Sequence, residues 1–307
     1  MGAAVLVPAT SANLGPGFDS FGLALDLHNR FEAELAPEWS VEIEGEGEDA
    51  LRTDGTNRVA TAMARAFEAL GHPELRAAIG CVNRIPLGNG LGSSSSAIVG
   101  GILLAEQLVG EELGEQRLLE LAAEIEGHPD NVAAALRGGF TVCWQEPGRG
   151  GVRTARFQPA RGLAAVVIVA NGELSTKTAR RMLPEAVPHV DAAFNVAHAG
   201  LLAASIATGR PELLGAALED RLHEPYRAAA VADLKQVHDI LRDAGAAGVA
   251  LSGAGPTMIG LVAGDTDEAA HHLAEEVAQR AADATRALGT RRAPQALRID
   301  RAGARVL

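Results

Sequence analysis

Lysine is nearly missing from this 307-residue chain, which has only Lys177 and Lys235. Any anion it holds must be met by arginine, backbone amides or a metal ion rather than by a lysine cluster. Positive charge is scarce altogether. A formal net charge of -12 excludes a broad nucleic-acid or anionic-membrane surface, because both require a dense basic face. Cysteine is equally thin: Cys81 and Cys143 stand far apart without metal-ligand or redox spacing, and two are too few for a disulfide framework. A reducing cytoplasm is the expected compartment. Long apolar runs are also missing. "LAAVVIVA", Leu163 to Ala170, is too short to span a bilayer, and "MGAAVLVPATSANLG" carries no basic segment ahead of its apolar stretch. Neither membrane insertion nor secretion is expected. There is no internal repeat.

The composition that remains is that of a folded protein, with 47% hydrophobic and 21% charged residues, too apolar for disorder. The length favours two domains. "AAVLVPA" and "NRFEAEL" read as strands around the turn chemistry of "TSANLGPGFD", and "VEIEGEGEDA" reads as a solvated hairpin tip. "NRVATAMARAFEAL" has helical spacing and stops at Gly71 and Pro73. A strand at "AAIGCVNRI" and a buried helix at "SSAIVGGILLAEQLV" flank a glycine-rich stretch. A second helix, "EQRLLELAAEIEG", ends at "HPDN", and "AALRGGFTVCW" returns to a strand. The composition shifts to Gly, Pro and Arg at "QEPGRGGVRTARFQPARG", so the domains are expected to be 1–155 and 156–307. Beyond it lie a strand at "LAAVVIVA", helices from "STKTARRML" to Ala244, two short strands in "GVALSGAGPTMIGLV", and a helix from Asp267.

Four segments carry candidate chemistry. In "PLGNGLGSSSSAIVGG", Pro86 to Gly101, a strand, a glycine loop and a helix follow in order. That arrangement leaves unpaired N–H groups and the positive end of a helix dipole facing any polyanion. Ser93 stands where the Walker pattern needs lysine and where GxGxxG needs its third glycine, so neither nucleotide fingerprint applies. A flexible linker would not join a strand to a buried helix. "EGHPDN", Glu126 to Asn131, gathers two carboxylates and two neutral polar groups, which suits a divalent cation and an alcohol losing a proton. It reads equally well as a helix end, a proline turn and a cap on the next helix. "SANLGPGFD" presents Asn13 and Asp19 from an ordered loop. "LSGAGPTM" is a glycine turn between strands, read in isolation as structural.

Together and in this order, these segments resemble the GHMP small-molecule kinases. "PATSANLGPGFDSFGLAL" combined with "EGHPDNVAAAL" is similar to their homoserine-phosphorylating branch. The resemblance implies a two-domain α+β fold, an S5-like N-terminal domain with a left-handed βαβ crossover and a ferredoxin-like C-terminal domain. It implies ATP and Mg²⁺ as cofactors, L-homoserine as the acceptor, and a homodimer. Pro86, Leu87, Gly88, Asn89, Gly90, Leu91, Gly92, Ser93, Ser94, Ser95 and Ser96 would wrap the phosphates, with Ser94 and Glu126 holding the metal. Ser95 and Ser96 stand where many relatives have alanine, and are expected mainly to begin the helix. Asp19, with Asn13 beside it, matches the ammonium ligand. Arg180 and Arg227 match the carboxylate ligands, with Thr176 near them. Asn131 would orient the hydroxyl, and Asp130 stands where related kinases have a carboxylate base. Positioning and charge neutralisation are expected to matter more than a base, since phosphoryl transfer has a loose transition state. Asn57 and Arg58 are adenine-side candidates. A kinase for another alcohol, such as mevalonate, and a nucleotide sensor without catalysis are the competing readings. Mevalonate has no ammonium for Asp19, and a sensor would show damage at Ser94, Glu126 or HPDN.

Overall fold

Alternating apolar residues near the N-terminus become two long antiparallel strands, β1 (Ala3–Ala12) and β2 (Phe21–Leu35). The computed structural model describes residues 2–146, 151–171, 176–228, 231, 233–290 and 292–307. β3 (Ser40–Gly45), α1 (Arg58–Ala69) and β4 (Ala77–Asn83) follow. β3 pairs in parallel with β4, so the alternation of "VEIEGEGEDA" does not make the expected hairpin. The strand belongs to a βαβ unit whose helix starts at Asn57, where Asn57 Oδ1 accepts from Val59 N. Next come α2 (Ser93–Val109), α3 (Glu115–Glu126), α4 (Asp130–Arg137), β5 (Phe140–Gln145) and β6 (Val152–Phe157). Gly101 marks where α2 meets α1: a Cβ there would lie 2.5 Å from Val59 O.

The expected division after residue 155 falls inside β6, whose Arg156 and Phe157 still pair with Thr141 and Phe140. The chain leaves the first sheet only after Phe157. It then forms β7 (Leu163–Val169), α5 (Thr176–Arg181), α6 (His189–Thr208), α7 (Leu214–Ala217), α8 (Glu224–Ala228) and α9 (Leu234–Ala244). β8 (Gly248–Leu251), β9 (Thr257–Ala263), α10 (Asp267–Leu288), β10 (Gln295–Arg298) and β11 (Arg305–Val306) complete it. The second sheet has the order β10-β7-β9-β8, all antiparallel, while β11 returns to the first sheet beside β1.

β7 explains how the halves are joined. Its residues alternate faces with period two. Ala164, Val166 and Ile168 pack with Val237, Leu241 and Val277 of α9 and α10. Ala165 and Val167 join Leu23, Leu25, Ile85 and Phe140 of the first half in a shared apolar core. Burying a side chain of that size is worth about 1.5–3 kcal/mol, so this core braces the floor on which the loops of both halves meet. α6 is long and apolar enough to cross a membrane by length and composition alone. Two hydrogen bonds attach it to the segment that follows, with Asn195 Nδ2 donating to Asp220 and Ser205 Oγ to Arg210 O.

Candidate active site

Seven segments converge on one cavity of about 320 Å³. The first is the Asn13–Asp19 loop, where Asn13, Leu14 and Asp19 all take left-handed backbone angles, φ 67°, 50° and 55°. Such angles cost energy in residues other than glycine and persist where the surroundings hold them. Here Asn13 does the holding: its Oδ1 accepts from Asp19 N at 2.9 Å and its Nδ2 donates to Gly253 O at 2.8 Å. The loop is thereby fastened to the β8–β9 turn of the second half.

The glycine loop follows β4 and ends at Gly92, with φ 70°; a Cβ there would lie 1.9 Å from Thr10 Oγ1. α2 opens without a side-chain cap, and the first N–H to find an intrahelical carbonyl is that of Ser96, on Gly92 O. The amides of Ser93, Ser94 and Ser95 therefore precede the ladder at the positive end of a 17-residue helix. Glu126, the last residue of α3, accepts from Ser94 Oγ at 2.7 Å and Ser95 Oγ at 2.9 Å, with Arg58 3.6 Å away. Ser95 thus does more than begin the helix. Ser96 Oγ is buried without a partner among the described residues.

Asp130 and Asn131 occupy the first turn of α4 and are both buried. Asp130 Oδ1 is the acceptor for three donors, His128 Nδ1 at 2.7 Å, Asn131 N at 2.7 Å and Asn131 Nδ2 at 3.3 Å. Burial opposes a charge on His128, but the hydrogen bond and charge of Asp130, with Glu126 nearby, outweigh it and raise the imidazole pKa. Asn131 Oδ1 accepts from Thr10 Oγ1 at 2.7 Å, which fixes the amide and leaves its NH₂ as the donor end.

Arg180 on α5 grips Asp19 through both oxygens, at 2.7 and 2.8 Å, and this pairing raises its own pKa against the opposing effect of burial. Arg227 on α8 is different. Only 2% exposed, it donates through NH1 to Gly253 O at 3.0 Å and to His223 Nδ1 at 3.1 Å, while its Nε has no partner among the described residues. Burial lowers its pKa. Both guanidinium groups face the ring of Phe18, at 5.7 and 5.4 Å.

Of the residues expected from sequence, Asn13, Asp19, Pro86, Gly88 to Ser94, Glu126, Asp130, Asn131, Thr176, Arg180 and Arg227 line this cavity. Leu87 lines an adjoining one of about 350 Å³, which shares Arg58, Gly88, Ser93 and Ser94 with the first and is walled by Phe31, Leu51, Val59, Cys81 and Ala97. Three further participants carried no assigned role. Gly253 to Gly255, taken alone as a structural turn, form a wall of the cavity. His128 reaches the lining, and Thr10 supports Asn131 from a strand position that carries no local signal.

The family pattern for the GHMP kinases N terminal domain matches residues 57–139, and that for the GHMP kinases C terminal domain matches residues 201–283. The homoserine kinase of Streptomyces coelicolor is 45% identical over 307 residues, covering 99% of this chain and 94% of that protein. The chain belongs to the homoserine kinase family. The homoserine kinase of Desulfitobacterium hafniense is 39% identical over 303 residues, with 99% of each chain covered. A crystal structure of homoserine kinase from Cytophaga hutchinsonii superposes with a TM-score of 0.86 at 28% identity, covering 100% of this chain and 97% of that one. A mevalonate kinase from L. major, at 14% identity and TM-score 0.73, shares the fold alone. The two-domain α+β architecture and the use of ATP follow from membership of the homoserine kinases within the GHMP family.

Proposed function

We propose that this chain transfers the γ-phosphoryl group of ATP to the side-chain hydroxyl of L-homoserine, giving O-phospho-L-homoserine for threonine biosynthesis. The observation that carries the acceptor end is Arg227. A buried guanidinium with an unpartnered Nε and, among the described residues, no ion-paired carboxylate is costly unless a ligand supplies the anion. A substrate carboxylate supplies it, and Arg180, which like Arg227 lies against the Phe18 ring, completes the clamp. Asp19 then takes the ammonium, with Asn13 holding its backbone and Thr176 closing the rim.

The residues 1–155 half would hold ATP, with phosphates against the glycine loop and the amides of Ser93 to Ser95, and the base in the adjoining apolar cavity beside Asn57 and Arg58. Residues 156–307 supply the carboxylate clamp. Glu126 with the Ser94 hydroxyl, and Ser95 behind it, forms an all-oxygen donor set, which fits Mg²⁺. When bound there, the ion would neutralise charge on the transferring phosphate. Asn131 Nδ2, its orientation set by Thr10, positions the acceptor hydroxyl in line. Asp130 Oδ1 is already engaged by three donors, which favours an anchoring role for this carboxylate over that of a base. The hydroxyl proton then passes to an oxygen of the transferring phosphoryl group as the new O–P bond forms and the bond to the β-phosphate oxygen breaks, releasing ADP, and orientation supplies the rate.

Release of ADP from MgATP, measured across L-homoserine, mevalonate, shikimate and L-threonine, is expected to be fastest with L-homoserine by more than about 100-fold over the acceptors without an ammonium. Turnover confined to mevalonate or shikimate would sink the assignment, and tight ATP binding without turnover on any acceptor would favour a sensor. We further take the enzyme to work in the cytoplasm as a homodimer, pairing through the exposed apolar face of α6 around Val190 and Val196. Light scattering should give twice 31.7 kDa; a monomer mass at micromolar concentration would dismiss the pairing.

A further inference from the structure

His223 precedes α8 and is wholly buried, in a motif, "HEPYR", whose arginine alone has a role so far. Its ring makes two contacts of opposite demand. Nε2 lies 2.7 Å from Gly15 O, which can only accept. Nδ1 lies 3.1 Å from Arg227 NH1, which can only donate. One arrangement satisfies both: a neutral imidazole carrying its proton on Nε2 and a lone pair on Nδ1. The ring also stacks on Phe18, with centroids 5.3 Å apart. Its backbone N–H is held by Asp220 Oδ2 at 2.8 Å.

The charged groups around it agree with that state. Burial lowers the imidazole pKa and Arg227 pushes the same way, while Asp220, 3.8 Å from Nε2, and the more distant Asp19 push against them without prevailing. A second proton, on Nδ1, would point at a guanidinium.

Resting on the carboxylate role given to Arg227 above, we propose that His223 is the positioning residue of the clamp. Its Nδ1 lone pair fixes Arg227 NH1, its Nε2–H fixes the Gly15 carbonyl, and it so couples the carboxylate-binding helix to the loop that presents Asp19. Arg227, its NH1 held on two acceptors, is thereby fixed in the lining of the cavity.

Two near-isosteric variants separate the contacts. In His223→Asn the side-chain oxygen replaces Nδ1 and the Gly15 contact is lost; in His223→Gln the amide nitrogen replaces Nε2 and the Arg227 contact is lost. Expected for His223→Gln is a rise in KM for homoserine of about tenfold, with KM for ATP and kcat within about twofold of the parent. Expected for His223→Asn is a smaller rise, about threefold. Equal effects from the two variants, or a parallel rise in both KM values, would overturn the proposal and leave His223 a packing residue. Arg227→Ala serves as the reference. If it leaves KM for homoserine unchanged, the carboxylate reading fails; if it raises that KM and His223→Gln does not, only the positioning role fails. Should either variant not fold, long-range ¹H–¹⁵N correlation spectra of the parent enzyme decide. A neutral ring protonated on Nε2 from pH 8 to pH 6 is expected, and a charged ring or the opposite tautomer is the overturning result.

Discussion

Replacing Glu126 by alanine is expected to lower kcat by at least about 100-fold and to raise the Mg²⁺ concentration needed for half-maximal rate, with KM for homoserine changed by less than about threefold. Glu126 is the only carboxylate in contact with the serines that open α2 among the described residues, and its side chain is 9% exposed. Truncation therefore removes one metal-ligating charge and strips two hydroxyls of their acceptor. It also leaves Arg58, now 3.6 Å from a carboxylate, beside the phosphate cradle with no anion to balance it. Glu126→Gln keeps the shape and one of the two acceptor oxygens but not the charge, so it should fall nearly as far in kcat while remaining close to the parent in stability. ADP release titrated with Mg²⁺ separates the outcomes. An unchanged Mg²⁺ requirement with kcat within threefold would remove Glu126 from the metal site.

The glycine loop was legible because three local signals agreed: a strand pattern before it, glycines within it, and an apolar helix after it. Local chemistry is where sequence speaks most directly, and the loop, Glu126 and HPDN all sit at element ends. What stayed hidden involves pairs distant in sequence. Thr10 looks like an ordinary strand residue until β1 brings it against Asn131, 121 residues on. β3 was recognisable as a strand from its alternation, yet alternation sets which face is buried and says nothing of the partner, so its parallel pairing with β4 had no local sign. β10 and β11 span four residues and two, too few to establish a period. Ser95 was read as a helix opener because a serine there satisfies the rules for helix starts. Its bond to Glu126 depends on where α3 ends, 31 residues away.

An acceptor lacking the carboxylate of homoserine is expected to bind at least about 100-fold more weakly than homoserine itself, and one lacking the ammonium about tenfold more weakly. The reason is the ion pair that Asp19 and Arg180 make with each other. Both are about a third exposed, with side-chain exposures of 36% and 38%, so in solvent this pair is worth little net stability. A zwitterion can replace it charge for charge, its ammonium meeting Asp19 and its carboxylate meeting Arg180, while Arg227 gains the anion it lacks. 4-Hydroxybutyrate takes Arg180 from Asp19 and offers that carboxylate nothing in return. 3-Amino-1-propanol does the reverse and leaves Arg227 buried and unpaired. With 3-amino-1-propanol the unmatched group is the buried Arg227, where the loss of a charged hydrogen bond costs about 2–5 kcal/mol; with 4-hydroxybutyrate it is Asp19, which solvent partly screens, so the cost is smaller. Calorimetry with the three ligands, in the presence of a non-hydrolysable ATP analogue, measures the difference. Asp19→Asn supplies the control: it breaks the internal pair, weakens homoserine, and should narrow the gap between homoserine and 4-hydroxybutyrate. If 4-hydroxybutyrate remains as disfavoured in Asp19→Asn as in the parent, the ammonium is read elsewhere and the exchange does not occur.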